Sequence, residues 1–204
     1  MTGVRRVAGP SSGFTLIEII VILAVISILA AILTPSVLKY IAEAQTDRAR
    51  NDAGTIQAVI NDLIKDTGQY PGSLAVPAGF ICGPGNIATP GATGWAANSA
   101  ACTNGTGVMA DSLSNHLVVN DPNESGTANS TSDYRTTGNF RWRGPYAQNI
   151  NTDPWGNAYQ INVSTLVGGN TVATWIVSAG PDGTFQTATG ANTLSNDDIG
   201  VRIK

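Results

Sequence analysis

The chain has 204 residues, enough for one domain with a hydrophobic core or for one domain plus an appendage. Its formal net charge is −3, charged residues make up 12%, and Gly, Ser, Thr and Asn crowd the second half. That composition excludes a nucleic-acid binder with a basic face and fits an extracytoplasmic, loop-rich protein better than a cytosolic enzyme.

Residues 1–13 form a short tail with Arg5 and Arg6 and no acid. No small-residue cleavage site follows the next, apolar run, so this is not an ordinary secretory signal. From Phe14 to Leu33 the chain is almost wholly apolar, and about 20 helical residues at 1.5 Å each cover about 30 Å, one hydrocarbon core. Residues 14–35 are therefore expected to span a membrane, with a cytoplasmic N-terminus set by the two arginines and the remainder outside the cytoplasm. Glu18 stands inside that run. A carboxylate in lipid is costly unless protonated or paired, which marks Glu18 as functional. Cleavage between Gly13 and Phe14 would create an α-amino group one helical turn away, a natural partner in the same chain or in a neighbour.

Beyond Pro35 the pattern becomes amphipathic. Ile56, Val59, Ile60, Leu63 and Ile64 recur at helical spacing, Asp47 and Arg50 form an i,i+3 pair, and Thr67-Gly68 is a plausible end. One helix is expected from about Phe14 to about Asp66, with Pro35 kinking or loosening it. Residues 36–67 are its amphipathic continuation, and 68–204 are the globular domain.

Residues 73–140 read as a loop-dominated insertion, a surface decoration or partner contact, with a short helix around Met109 to Val119. "NAYQINVS" (Asn157 to Ser164) and "TVATWIVSA" (Thr171 to Ala179) read as the strands of a hairpin, and a last short strand is expected near the C-terminus. In "DPWGN", Asp153 is expected to bond backbone amides of a compact turn and Trp155 to anchor that turn in the core.

Cys82 and Cys102 lie outside any CxxC pattern, which argues against zinc. A disulfide between them would close a loop of about 20 residues and contribute about 3 kcal/mol, but spacing alone leaves the pairing open. His116, near Ser112 and Ser114, belongs to no recognisable hydrolase motif, and no enzymatic role is predicted. Arg141, Trp142 and Arg143 read either as a basic or cation–π patch or as the cap of an edge strand.

"GFTLIE" followed by an apolar helix resembles the class III signal of type IV pilins and pseudopilins. The resemblance implies an α+β, type IV pilin-like fold, a long helix packed on a small antiparallel sheet with a C-terminal loop. It also implies that a prepilin peptidase cleaves the 1–13 leader after Gly13 and methylates Phe14, and that Glu18 pairs with the new terminus of an adjacent subunit. "WRGPYAQNINTDPWGNAYQ" (Trp142 to Gln160) and "KDTGQYP" are similar to the major pseudopilin of type II secretion systems.

"SAGPDG" and "SNDDIG" bring Asp182, Asp197 and Asp198 together with backbone carbonyls near Val177 and Ser178. Composition alone reads these as solvated turn acids. The resemblance implies one calcium ion held by this loop, with Asp182 the firmest ligand and the choice between Asp197 and Asp198 open.

The function implied is structural: a homopolymeric, calcium-stabilised pseudopilus drawn from the bacterial inner membrane into the periplasm, in contact with other pseudopilins and the secretion assembly platform. The alternatives are a subunit of a type IV pilus or other surface filament and, from another class, a membrane-anchored binding domain.

Overall fold

The computed structural model describes residues 13–71, 79–89, 91, 93–95, 112–122, 126–131, 133–166 and 171–204. By its contacts the chain divides into two units, residues 1–43 and 44–204.

A single helix, α1, runs over Leu16–Thr67. In the first unit its large apolar side chains, from Phe14 to Ile41, are between 44% and 80% exposed. A stretch that is apolar on every side and buries nothing is stable only in an apolar solvent, and it is long and apolar enough to cross a membrane. Pro35 lies inside the helix, which remains helical on both sides of it. The missing proline N–H deprives the carbonyl of Ala31 of its usual donor, while the Thr34 hydroxyl adds a bond to the carbonyl of Ala30 at 2.7 Å.

In the second unit the helix becomes one-sided. Ala49, Ala53, Ile56, Ile60, Leu63 and Thr67 are buried at successive spacings of three and four, the stripe a core-facing helix requires. Exposed Asp47 and Arg50 make the expected pair at 3.3 Å. The N–H of Gly68 closes the last turn on the carbonyl of Ile64 at 2.8 Å.

Four short strands follow: β1 (Phe80–Cys82), β2 (Gln160–Asn162), β3 (Trp175–Ser178) and β4 (Ile199–Arg202). They form one antiparallel sheet in the order β1-β2-β3-β4. The register aligns Ile81, Ile161, Ile176 and Val201 in a row across the sheet. That row packs in one core with Ala53, Ile56, Ile60 and Leu63 of α1. Because side chains alternate along a strand, the neighbouring row, Cys82, Gln160, Val177 and Gly200, belongs to the opposite face. There Val177 and Ala179 pack with Ala88, Trp95 and Phe185. Trp95 stacks on Phe185 with ring centroids 5.2 Å apart, and its indole N–H donates to the carbonyl of Thr187 at 2.7 Å.

Two expectations are corrected here. The 73–140 region is not a decoration in its described parts: it supplies β1, Trp95, Leu113, Leu117 and Tyr134, all of them core residues. Its helical turn is the short π-helix Asn115–Val119, entered from Leu113; Met109 to Asp111 lie outside the described residues. Trp155 is only half-buried and joins no core cluster; the residue its turn buries is Asp153.

Candidate functional site

At the helix start, Thr15 and Glu18 are bonded reciprocally. The Thr15 N–H and hydroxyl donate to Glu18 Oε2 at 2.8 and 2.7 Å, and the Glu18 N–H donates to Thr15 Oγ1 at 3.3 Å. With Leu16 the first helical residue, this is a capping box, which satisfies amides that have no partner within the helix. Glu18 therefore has a local role that the sequence reading missed, although T-x-x-E before an apolar run is its signal. Only one carboxylate oxygen is used in it. Gly13, Phe14 and Glu18 are all exposed.

The second candidate site lies where the β3 end, the DPWGN turn and the C-terminal loop meet. Asp153 is only 2% exposed. Its Oδ1 accepts from the amides of Trp155 at 3.0 Å and Asn157 at 2.7 Å, and its Oδ2 accepts from the Ser178 hydroxyl at 2.6 Å. The Ser178 hydroxyl in turn accepts from the Gly180 amide at 3.1 Å. The side chain of Ser178 is thus committed to the scaffold, while its backbone belongs to β3 opposite Ile199.

From Gly180 the chain turns past Asp197. Gly180 has a positive φ of 65°, and a Cβ there would stand 2.3 Å from the carbonyl oxygen of Asp197, so only glycine permits the approach. Asp182 is exposed: its Oδ1 accepts from the Thr184 amide at 2.7 Å and its Oδ2 from the Gln186 side-chain amide at 2.5 Å. Asp197 Oδ2 accepts from the Asp182 amide at 3.3 Å. Asp198 is buried, and its Oδ2 accepts from the amides of Gln186 at 2.9 Å and Thr187 at 2.5 Å. Burial pushes the Asp198 carboxyl above the usual carboxylate range, against the pull of those amide bonds.

Of the three aspartates sequence reasoning named, Asp182 and Asp198 are linked through Gln186, which it did not name, and Asp197 is joined to them by the Asp182 amide. Among the described residues no three carboxylate, imidazole or thiol groups converge as a ready metal cage. The donor chemistry nevertheless fits a hard cation: Asp198 Oδ1 and Gln186 Oε1 are buried oxygens without a hydrogen-bond donor, on the two arms that carry Asp182 and Asp197.

The remaining sequence candidates have structural surroundings. His116 is buried with its Nδ1 2.7 Å from the Tyr134 hydroxyl. Trp142 meets Tyr146 edge-on, and the guanidinium of Arg143 lies 3.8 Å from Asp66 in the last turn of α1. Burial raises the pKa of Tyr159, whose hydroxyl donates to the carbonyl of Ala49 at 3.3 Å. Cys82 is buried and disulfide-bonded; Cys102, the chain's other cysteine, lies outside the described residues.

Residues 10–34 match the family model of the prokaryotic N-terminal methylation motif. Residues 110–197 match that of the type II secretion system (T2SS), protein G. The chain is 40% identical over 63 residues to the fimbrial protein EcpC of Eikenella corrodens, a match covering 31% of this chain and 41% of that protein. It is 35% identical over 91 residues to the type IV major fimbrial protein FimA of Dichelobacter nodosus, covering 41% of this chain and 57% of that one. The matched regions thus span about half the length of these curated relatives. No solved structure matches.

Removing the Asp153 carboxylate leaves two amides and one hydroxyl without their acceptor. Asp153→Ala is expected to lower stability by about 3 kcal/mol or more, each buried orphan costing about 1–3 kcal/mol. Chemical denaturation of the full chain checks this, and a loss below about 1 kcal/mol would show the turn to be held by other contacts.

Proposed function

We propose, for a chain that belongs to the type IV pilin-like group of pilins and pseudopilins, that it is the structural subunit of a type II secretion pseudopilus. The group is one of filament subunits, and a membrane-anchored helix followed by a small α+β domain is the form such a subunit takes. The observation that carries the narrower reading is the protein G match over residues 110–197. It covers β2, β3, the Asp153 turn and the carboxylate-bearing loop as far as Asp197, the parts that discriminate among filaments sharing one kind of helix. No enzymatic role is part of this reading.

In this reading a prepilin peptidase removes residues 1–13 at the inner membrane and methylates Phe14. The apolar helix then leaves lipid for a bundle of identical helices, where Glu18 meets the terminal amine of its neighbour. The capping box accommodates that exchange, because it engages one carboxylate oxygen and leaves the other for an incoming amine. The domain faces the periplasm, beside other pseudopilins and the assembly platform. Asp182, Asp198 and Gln186, with Asp197 beside them, hold one calcium ion, which neutralises the buried Asp198 carboxylate and ties the two loop arms together.

The fimbrial relatives favour a second reading, a type IV pilus subunit. Deleting the protein distinguishes the two: the pseudopilus reading expects secreted proteins to be retained while surface filaments persist, and loss of surface filaments with normal secretion overturns it.

Glu18→Ala is expected to insert but not to assemble, since stranding one member of a buried ion pair costs about 3–5 kcal/mol. Thr15→Ala removes only the cap, worth about 1 kcal/mol, and should assemble nearly as well as the parent. Equal filament yields for the two variants would remove the pairing argument, and the intact mass of the filament subunit should correspond to a chain starting at methylated Phe14. Equilibrium dialysis is expected to find one bound calcium fewer in Asp198→Asn; an unchanged count would take the ion out of the C-terminal loop.

A further inference from the structure

Residues 86–95, of which all but 90 and 92 are described, belong to the region that the sequence presents as an insertion, and the pseudopilus reading gives them no task. Their hydrogen bonds give them one. Asn86 grips the DPWGN turn: its N–H donates to the carbonyl of Gly156 at 2.9 Å, and its carbonyl accepts from the Ala158 amide at 2.8 Å. Three residues on, Thr89 grips the arm that follows Asp182 in the same way. Its N–H donates to the carbonyl of Gly183 and its carbonyl accepts from the Phe185 amide, both at 2.8 Å. The two grips are isolated parallel bridges, Asn86 with Asn157 and Thr89 with Thr184. The segment is thus a strap fastened to both pieces that meet at the C-terminal site.

The strap then continues along the arm. Gly91 has a φ of 56°, and a Cβ there would stand 2.5 Å from the carbonyl oxygen of Phe185, so this close approach needs glycine. The Thr93 hydroxyl donates to that same carbonyl at 3.2 Å, and the Thr93 carbonyl accepts from the Thr189 amide at 2.9 Å. The indole N–H of Trp95 donates to the carbonyl of Thr187 at 2.7 Å. Burial and the stack on Phe185 fix the plane of that indole.

Along the arm the bonding groups alternate, as the period of two of an extended chain dictates. Gly183, Phe185, Thr187 and Thr189 bond the strap. Thr184 and Gln186 bond carboxylates: the Thr184 amide donates to Asp182, and Gln186 donates to Asp198 with its backbone and to Asp182 with its side chain. Thr187 serves both sides, its carbonyl taking the Trp95 indole and its N–H donating to Asp198 Oδ2 at 2.5 Å. An arm held only by the carboxylates could rotate and carry its amides away from them. Held on both sides, it presents them in one arrangement. Rigidity sets the affinity of a calcium loop alongside ligand charge, because an arm ordered beforehand pays less ordering cost when the ion binds.

We infer that this strap positions the cation site of the C-terminal loop and that Trp95 is its principal positioning residue. The inference rests on the calcium reading given under Proposed function. Trp95 acts through Thr187: by fixing that residue's carbonyl it fixes the run of chain whose amides hold Asp198 and whose side chain at Gln186 meets Asp182.

The test uses the full chain in detergent, with calcium chloride as the probe. Trp95→Phe keeps a ring against Phe185 and deletes the indole N–H. Its calcium Kd should rise about fivefold, the worth of one buried hydrogen bond, with one ion still bound at saturation. Trp142→Phe is the matched control. It deletes an indole bond to the carbonyl of His116 at 3.3 Å, beside the core that packs on α1, and its Kd should equal the parent's. An unchanged Kd in Trp95→Phe overturns the inference, and so does an equal rise in both variants, which marks a general loss of stability. A second readout needs no calcium: in calcium-free protein the amides of Gln186 and Thr187 should exchange about fivefold faster in Trp95→Phe than in the parent. Unchanged exchange at those two amides also overturns the inference. Should Trp95→Phe fail to fold, Thr93→Val, which removes the hydroxyl that donates to the carbonyl of Phe185, is read by the same two measurements against the same outcomes. Failure of the calcium reading looks different: Asp198→Asn then binds as many ions as the parent, and the inference falls with it.

Discussion

The buried carboxylate of Asp153 is the joint on which the C-terminal half depends. One oxygen gathers the amides of its own turn, and the other holds the Ser178 hydroxyl at the end of β3. Hydrogen bonds to an ionised acceptor are shorter and stronger than neutral ones, so a single side chain can fix two segments that are 25 residues apart. Ser178 passes that constraint to the Gly180 amide, and Gly180 sets how closely the chain passes Asp197. The positions of Asp182, Gln186 and Asp198 follow from a turn that carries no chemistry of its own.

Much of this architecture is written in the residues. The two regimes of α1 are visible as a change from uniform apolarity to a stripe, and the structure keeps Ile56, Ile60 and Leu63 as that stripe. β2 and β3 lie within the two β-branched runs, and β4 ends the chain as expected. What stayed illegible has physical causes. β1 is three residues long, too short for alternation to show, and acquires its identity from pairing with β2. Leu113, Leu117 and Tyr134 are core residues scattered through a polar segment, and only the fold brings them onto α1. Trp155 misled for the opposite reason: its size argues for the interior, but the side chain that the turn buries is the Asp153 carboxylate, which accepts from the turn's own amides.

Glu18 and Asp198 are both acids placed where acids are costly, and each is held by amides. At the helix start the amides are those the helix leaves unsatisfied, and the carboxylate is exposed. In the C-terminal loop Asp198 is buried, and the two amides on Oδ2 leave Oδ1 with nothing. The first arrangement is complete in an isolated subunit and can still take a further partner. The second leaves one buried carboxylate oxygen without a donor. Gln186, which bonds Asp182 with its side chain and Asp198 with its backbone, ties the two arms of that loop together.

β4 pairs with β3 alone, and it is stitched to α1 where the Gln57 amide meets the carbonyl of Arg202 at 2.6 Å. A ribosome delivers the strand well over a hundred residues after the apolar half of α1. At about 5–20 residues per second that interval is on the order of ten seconds. Throughout it the apolar helix is already made while the sheet lacks its fourth strand and the row Ile81, Ile161, Ile176 lacks Val201. The docking of β4 is therefore itself a step in folding: before it β3 presents an open edge, and after it that edge is paired.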